Sequence, residues 1–259
     1  MDLGLEGRRA IVAASSAGLG RACAEALVRE GADVVINGRD AERLDAAVRE
    51  LSALGGGTVR GVRADLDTEE GRAALLAACP EPDILVTNNA GPRPGTIDVI
   101  GDDDLEKALQ AHFWTPIRLL RAVAPGMMER RFGRIVNITS AMVAAPNPMM
   151  IASTGARTGM TAVMKAASRQ LAPYNVLINQ ILPERIDTGR QREMATLDSE
   201  RLGISYEEAR RRQAESIAVG RHGRPEEVGA ACAFLCAGAF GFISGVSLRL
   251  DGGSYPGLL

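Results

Sequence analysis

The chain has 259 residues, 46% of them hydrophobic, and a formal net charge of −2. This size and apolar content suit one α/β domain. The near-neutral balance argues against nucleic acid or an anionic membrane as a partner. No apolar run reaches the length of a membrane span, and the start MDLGLEGRRAIVAASS lacks the pattern of a signal peptide, so a cytoplasmic setting is expected.

Taken in order, RRAIVAA, ADVVING, TVRGVRAD, PDILVTN, GRIVNITS, NVLINQIL and GVSLRLDG read as strands. Amphipathic helical patterns lie between them near 19–30, 41–54, 69–78, 103–129, 153–172 and 225–237. Alternation of this kind predicts a parallel sheet covered by helices on both faces; the expected form is a single domain spanning 1–259, a doubly wound Rossmann fold with a seven-stranded parallel sheet in the order 3-2-1-4-5-6-7. The charged stretch 188–222 breaks the rhythm and is a candidate substrate lid. Cys23, Cys79, Cys232 and Cys236 form no C-x-x-C pair and read as buried thiols; no metal site is expected.

The first strand runs into Ala14-Ser15-Ser16-Ala17-Gly18-Leu19-Gly20 and then a helix. Small residues there let the backbone approach a pyrophosphate, and a helix start supplies free N–H groups and a positive dipole end. The second strand ends in Asn37-Gly38-Arg39-Asp40, with no acid at its tip for ribose hydroxyls. A guanidinium in the place of Arg39 suits the 2′-phosphate of NADP by two parallel hydrogen bonds, so NADP is expected over NAD. Asp65, followed by Leu66, ends the third strand, where an acid reaches an adenine amino group.

These markers join others. Asn88-Asn89-Ala90-Gly91 follows the fourth strand, Gly133 to Ser140 forms the fifth, and Pro183-Glu184-Arg185-Ile186-Asp187-Thr188 follows the sixth. Arg224-Pro225-Glu226-Glu227 and Asp251-Gly252-Gly253 close the set. Over nearly its whole length the chain resembles the short-chain dehydrogenase/reductase superfamily, most of all its 3-oxoacyl-ACP-reductase-like members. The match has departures: Ala13 and Ala14 replace Thr and the first Gly of the T-G-x-x-x-G-x-G loop, and Glu184 replaces the Gly of P-G-x-I-x-T.

The resemblance implies a carbonyl reductase or alcohol dehydrogenase acting on a small molecule, assembled as a homotetramer. It also implies cofactor contacts from Asn89, Ala90, Gly91, Pro183, Ile186 and Thr188. The catalytic serine falls at Ser140. The family's tyrosine and lysine fall 13 and 17 residues later, at Ser153 and Arg157, and its helical asparagine falls at His112. Serine is a far weaker acid than a phenol, and arginine keeps its proton. Arg157 is expected to hold the nicotinamide ribose, Ser140 and Ser153 to polarise the carbonyl, and His112, titrating near neutral pH, to supply the proton. Tyr206, in the lid, is the only tyrosine within plausible reach. Arg93, Arg185, Arg190 and Arg192 cluster near one mouth, which suits an anionic or carrier-bound substrate. The alternative is a catalytically silent NADP-binding protein that senses cofactor or supports a partner.

Overall fold

A computed structural model describes residues 1–258. Its strands are β1 (Arg9–Val12), β2 (Asp33–Gly38), β3 (Val59–Arg63), β4 (Ile84–Thr87), β5 (Gly133–Ile138), β6 (Val176–Pro183) and β7 (Ser247–Leu250). All neighbours pair in parallel, in the order β3-β2-β1-β4-β5-β6-β7, as the alternation predicts. Strands β4, β5 and β6 are buried along their whole length, which is why they read as continuous apolar runs. The edge strand β3 is largely exposed.

The helices are α1 (Gly18–Arg29), α2 (Ala41–Ser52), α3 (Glu69–Ala78), α4 (Asp102–Leu109), α5 (Thr115–Glu129), α6 (Ile151–Leu171), α7 (Gly189–Leu202), α8 (Tyr206–Glu215) and α9 (Pro225–Cys236). One core joins the sheet to α1, α2 and α9, and the other joins it to α3, α5 and α6. Strand β1 feeds both, Ala10 and Val12 facing one and Ile11 the other, as period-two alternation requires. Cys23, Cys232 and Cys236 are buried where α1 meets α9, and Cys79 is buried in the opposite core. Gly229 permits the α1–α9 approach, since a Cβ there stands 2.5 Å or less from the carbonyl oxygen of Ala22.

Two expectations change in detail. The pattern over 103–129 is not one regular helix: a five-residue π-helical turn, Gln110–Trp114, separates α4 from α5. Pro116 has no N–H for the carbonyl of His112, so the regular ladder is interrupted there, and the Thr115 N–H bonds Gln110 five residues back. The stretch 188–222 is largely helical, as α7 and α8, capped by the side chains of Thr188 and Ser205. No helix among the described residues is long and apolar enough to cross a membrane.

Candidate active site

The C-terminal ends of the strands open into a cleft of about 1240 Å³. Its first wall is the turn after β1. Ala14 there has a φ of 45°, left-handed backbone that an L side chain adopts at a cost of about 1–2 kcal/mol. Two asparagines hold it: the Ala14 N–H donates to Asn37 Oδ1 (3.3 Å), and Asn88 Nδ2 donates to the Ala14 carbonyl (3.1 Å). Gly20 is needed beside them, because a Cβ there stands 2.5 Å from the Ala14 oxygen. Ser16, Gly18 and Leu19 line the cleft with Ala14. Helix α1 starts at Ala17 without a side-chain cap, so its first N–H groups are left for an anion, which fits a pyrophosphate.

Ser15 and Gly20 do not line the cleft. Ser15 is fully buried; its Oγ donates to the Val12 carbonyl (2.6 Å) and accepts from the Asn37 N–H (3.0 Å), stitching β1 to β2. Both residues shape the turn.

Gly38, Arg39, Asp65 and Leu66 line the far end. The Arg39 side chain is two-thirds exposed, with Nη1 3.9 Å from Asp65, so its guanidinium is largely uncommitted. Arg43, on the first turn of α2, joins it in the wall. The sequence reading passed over Arg43, although its place four residues after Arg39 was the available signal.

Ala90 and Gly91 line the middle with Asn89. Asn89 Nδ2 donates to Asp67 Oδ1 (3.0 Å) and to the Ala111 carbonyl (3.3 Å), and Thr115 Oγ1 donates to the same Asp67 oxygen (3.1 Å). The end of β4 is thereby tied to the π-helical turn. Asp67 is a support that sequence alone did not single out.

Ser140 follows β5 and caps a short 3₁₀ turn, its Oγ accepting the Met142 N–H at 3.2 Å. Ser153 and Arg157 lie one turn apart on α6, and Arg157 Nε donates to Ser153 Oγ (3.2 Å). Each hydroxyl oxygen therefore takes an N–H, and each keeps its own hydrogen to donate into the cleft that both line. Arg157 Nη1 donates to the carbonyls of Ile138 (2.8 Å) and Thr139 (3.1 Å). Burial pulls its pKa down to about 10, which leaves it charged at neutral pH. With Nε and Nη1 engaged, Nη2 is the donor left for a ribose.

His112 departs from expectation. It lies on the π-helical turn, 3% exposed, with Nε2 lacking any hydrogen-bond partner. Burial, and then the charge of Arg157, hold its pKa well below the ordinary value, while the Ala90 backbone pulls weakly the other way. The imidazole is neutral at working pH and is no ready acid. It does not line the main cleft; it borders a separate pocket of about 10 Å³, room for about one water, that Arg157 also borders.

Pro183, Ile186 and Thr188 line the mouth, with Glu184 and Arg185 between them. Of the four expected rim arginines, Arg185 and Arg190 face the cleft, and Arg201 joins them. Arg93 instead pairs with Asp104 (2.8 Å) and Arg192 with Asp187 (3.3 Å), outside the lining. Tyr206 starts α8 and does not line the cleft either.

The family profile described as Enoyl-(Acyl carrier protein) reductase matches residues 13–255. The chain belongs to the short-chain dehydrogenase/reductase superfamily. It is 31% identical to the uncharacterized oxidoreductase YvaG of Bacillus subtilis, over 98% of each chain. It is 30% identical to the 3-oxoacyl-[acyl-carrier-protein] reductase FabG of Aquifex aeolicus, over 98% of this chain and 100% of that one. Among solved structures, L-sorbose reductase from Gluconobacter frateurii, complexed with NADPH and L-sorbose, superposes with a TM-score of 0.93 at 27% identity over the full length of both. A 3-oxoacyl (acyl-carrier-protein) reductase from Agrobacterium tumefaciens with NADP bound gives 0.87 at 30% identity, over 97% of this chain and 96% of that one.

Proposed function

We propose that this protein is an NADP(H)-dependent carbonyl reductase or alcohol dehydrogenase whose site works with Ser140, Ser153 and Arg157 in place of the family's serine–tyrosine–lysine set. The carrying observation is the pair of hydroxyls whose oxygens are occupied by N–H donors and whose hydrogens remain for a ligand oxygen. Donors fixed before reaction stabilise developing negative charge on that oxygen. Bound NADPH supplies the hydride. The turn at Ala14–Leu19 and the start of α1 would hold its pyrophosphate, Arg39 with Arg43 its 2′-phosphate, Asp65 its adenine, and Arg157 Nη2 its nicotinamide ribose. Kinship with reductases described with NADPH or NADP bound supports the cofactor. The substrate is a small carbonyl compound or alcohol, and Arg185 and Arg190 at the mouth suit an anionic or carrier-bound one. We assign α7 and α8 as the lid, the whole chain as one domain, the assembly as a homotetramer and the setting as cytoplasmic.

The test is a fluorescence titration with each nicotinamide cofactor, followed by turnover on activated ketones and diketones. NADPH should bind at least roughly tenfold tighter than NADH, a preference of about 1.4 kcal/mol. Arg39→Ala should remove most of it. Equal affinity for the two cofactors would sink the NADP assignment, and NADPH that binds without being oxidised across the panel would favour the silent cofactor-binding protein.

A further inference from the structure

The site as described holds a substrate oxygen but lacks an evident proton source. Arg157 does not release its proton at working pH, His112 is buried and neutral, and Tyr206 lies off the cleft. Six carboxylates line the cleft, and their positions separate them. Asp40 and Asp65 stand at the β2–β3 end, while Glu193, Asp198 and Glu200 belong to α7. Only Glu184 follows β6, the strand that pairs with β5 ahead of Ser140.

The strand register fixes that neighbourhood. Ile138 pairs with Ile181, and the Thr139 N–H continues the ladder to the Ile181 carbonyl at 2.9 Å. Ser140, two residues past β5, is therefore level with Pro183, the last residue of β6, about 4.8 Å away, and Glu184 follows β6. The Glu184 N–H is fastened to the Leu250 carbonyl at 3.0 Å, which holds its backbone against β7. Its side chain is 30% exposed, and its nearest cation, Arg185 Nε, stands 3.9 Å away, beyond hydrogen-bond reach. A half-buried carboxyl without a hydrogen bond in a ligand cleft is free to bond what enters.

We propose that Glu184 is the acid–base residue of this site, passing its proton to the carbonyl oxygen that Ser140 and Ser153 hold. This rests on the reductase reading above. In the reduction the carbonyl carbon gains a hydride from the reduced nicotinamide, the C=O π pair moves to oxygen, and that oxygen takes the Glu184 proton. An alcohol, an oxidised nicotinamide and a Glu184 carboxylate result; the carboxylate regains a proton from water. Oxidation runs the same steps backwards.

The surroundings suit the role. Burial raises the Glu184 pKa first, Arg185 opposes it, and Asp251 after β7 adds to the rise. Across the cleft, α6 presents Arg157, which is bonded to Ser153 and two carbonyls, and α7 presents Arg190 and Glu193, which pair with each other at 3.4 Å. None of these cations is paired with Glu184. A carboxyl with a raised pKa is the form in which glutamate serves as a general acid nearer neutral pH.

The experiment uses the full chain, NADPH and an activated diketone. Glu184→Gln should lower kcat by roughly 100-fold, within the range for a lost general acid, and leave the NADPH dissociation constant within about twofold. In the parent, the reduction rate should fall as pH rises through the Glu184 pKa, and the variant should lose that limb. Glu184→Gly should be equally slow, and added formate or acetate should restore part of its rate. Independently of turnover, carbon-13 NMR of labelled glutamate side chains should show the resonance missing in Glu184→Gln titrating above the ordinary range. An active parent whose rate and pH profile survive both substitutions overturns the role of Glu184 alone, as does a resonance that titrates normally. A parent that binds NADPH but oxidises none of it with the diketone overturns the reductase reading and this role with it.

Discussion

His112 and Arg157 stand 45 residues apart in sequence and border one water-sized pocket. The buried Arg157 cation helps hold His112 neutral, and the neutral ring spares the guanidinium a second positive charge nearby. The linkage has a definite sign. The unfolded histidine titrates near 6.5 and the folded one well below it, so below pH 6.5 the unfolded chain binds a proton that the folded chain refuses. The stability contribution is complete above that pH and falls as pH drops through it, by about 1.4 kcal/mol per unit. Unfolding free energies from urea melts at pH 7.5 and 5.5 should therefore differ by about 1.4 kcal/mol more in the parent than in His112→Asn. His222, also depressed by burial, is common to both proteins and cancels. An equal pH response would show that His112 is not held neutral. The spacing from Ser140 was enough to make Ser153 and Arg157 partners, because four residues is one helical turn. The protonation of His112 was not legible in the same way, since it depends on burial by α5, β5 and α6 together. The role of Glu184 was equally hidden, because a replaced glycine in a motif says nothing of what the new side chain faces.

At the scale of elements, the sheet was legible because burial on both faces leaves continuous β-branched runs, and because the helices packed on the sheet, such as α1, α2, α5 and α9, bury apolar faces against it. The π-helical turn was not: its cause is one missing N–H at Pro116 inside an otherwise regular pattern. The proposed lid, α7 with α8, is the other contrast. Helix α1 buries six residues, whereas α7 buries only Ala195 and α8 only Ala209 and Gln213. What joins α7 to α8 is polar: Gln213 accepts from Gln191 (2.8 Å) and donates to Asp198 (2.9 Å). Elements with so little buried apolar surface open at low free energy. Amide exchange across 189–215 should be fast in the free protein and should slow when NADPH is added, because Thr188, Arg190 and Gln191 face the cleft. Exchange in α1 and β5 should be slow in both states. Lid amides as protected as those of α1 without cofactor would remove α7 and α8 as a moving cover.

At the scale of the whole molecule, the outer side of α4, α5 and α6 is the surface that the monomer leaves unfinished. Leu109 and Trp114 are each 41% exposed and Val163 is 38% exposed, while Phe113 packs edge-on against Trp114 with ring centres 4.9 Å apart. Gly159 brings α6 close to Phe113, where a Cβ would sit 3.3 Å from the ring. Apolar side chains gathered on α4, the π-helical turn and α6 suit an isologous contact, in which the same face meets itself across a two-fold axis. The C-terminal segment offers a second face, where Arg249 lies over the Tyr255 ring at 4.1 Å. Two such contacts would generate the closed tetramer we propose. Light scattering at micromolar concentration should give four times the 27.3 kDa chain mass. Trp114 is the only tryptophan, so its emission reports on this surface directly. Val163→Glu places a charge on the contact without touching the cleft, and it should lower the mass and shift Trp114 emission to the red, toward that of a solvated indole. A parent of monomeric mass, with emission unchanged by dilution, would refute the assembly and leave this apolar face to be explained in some other way.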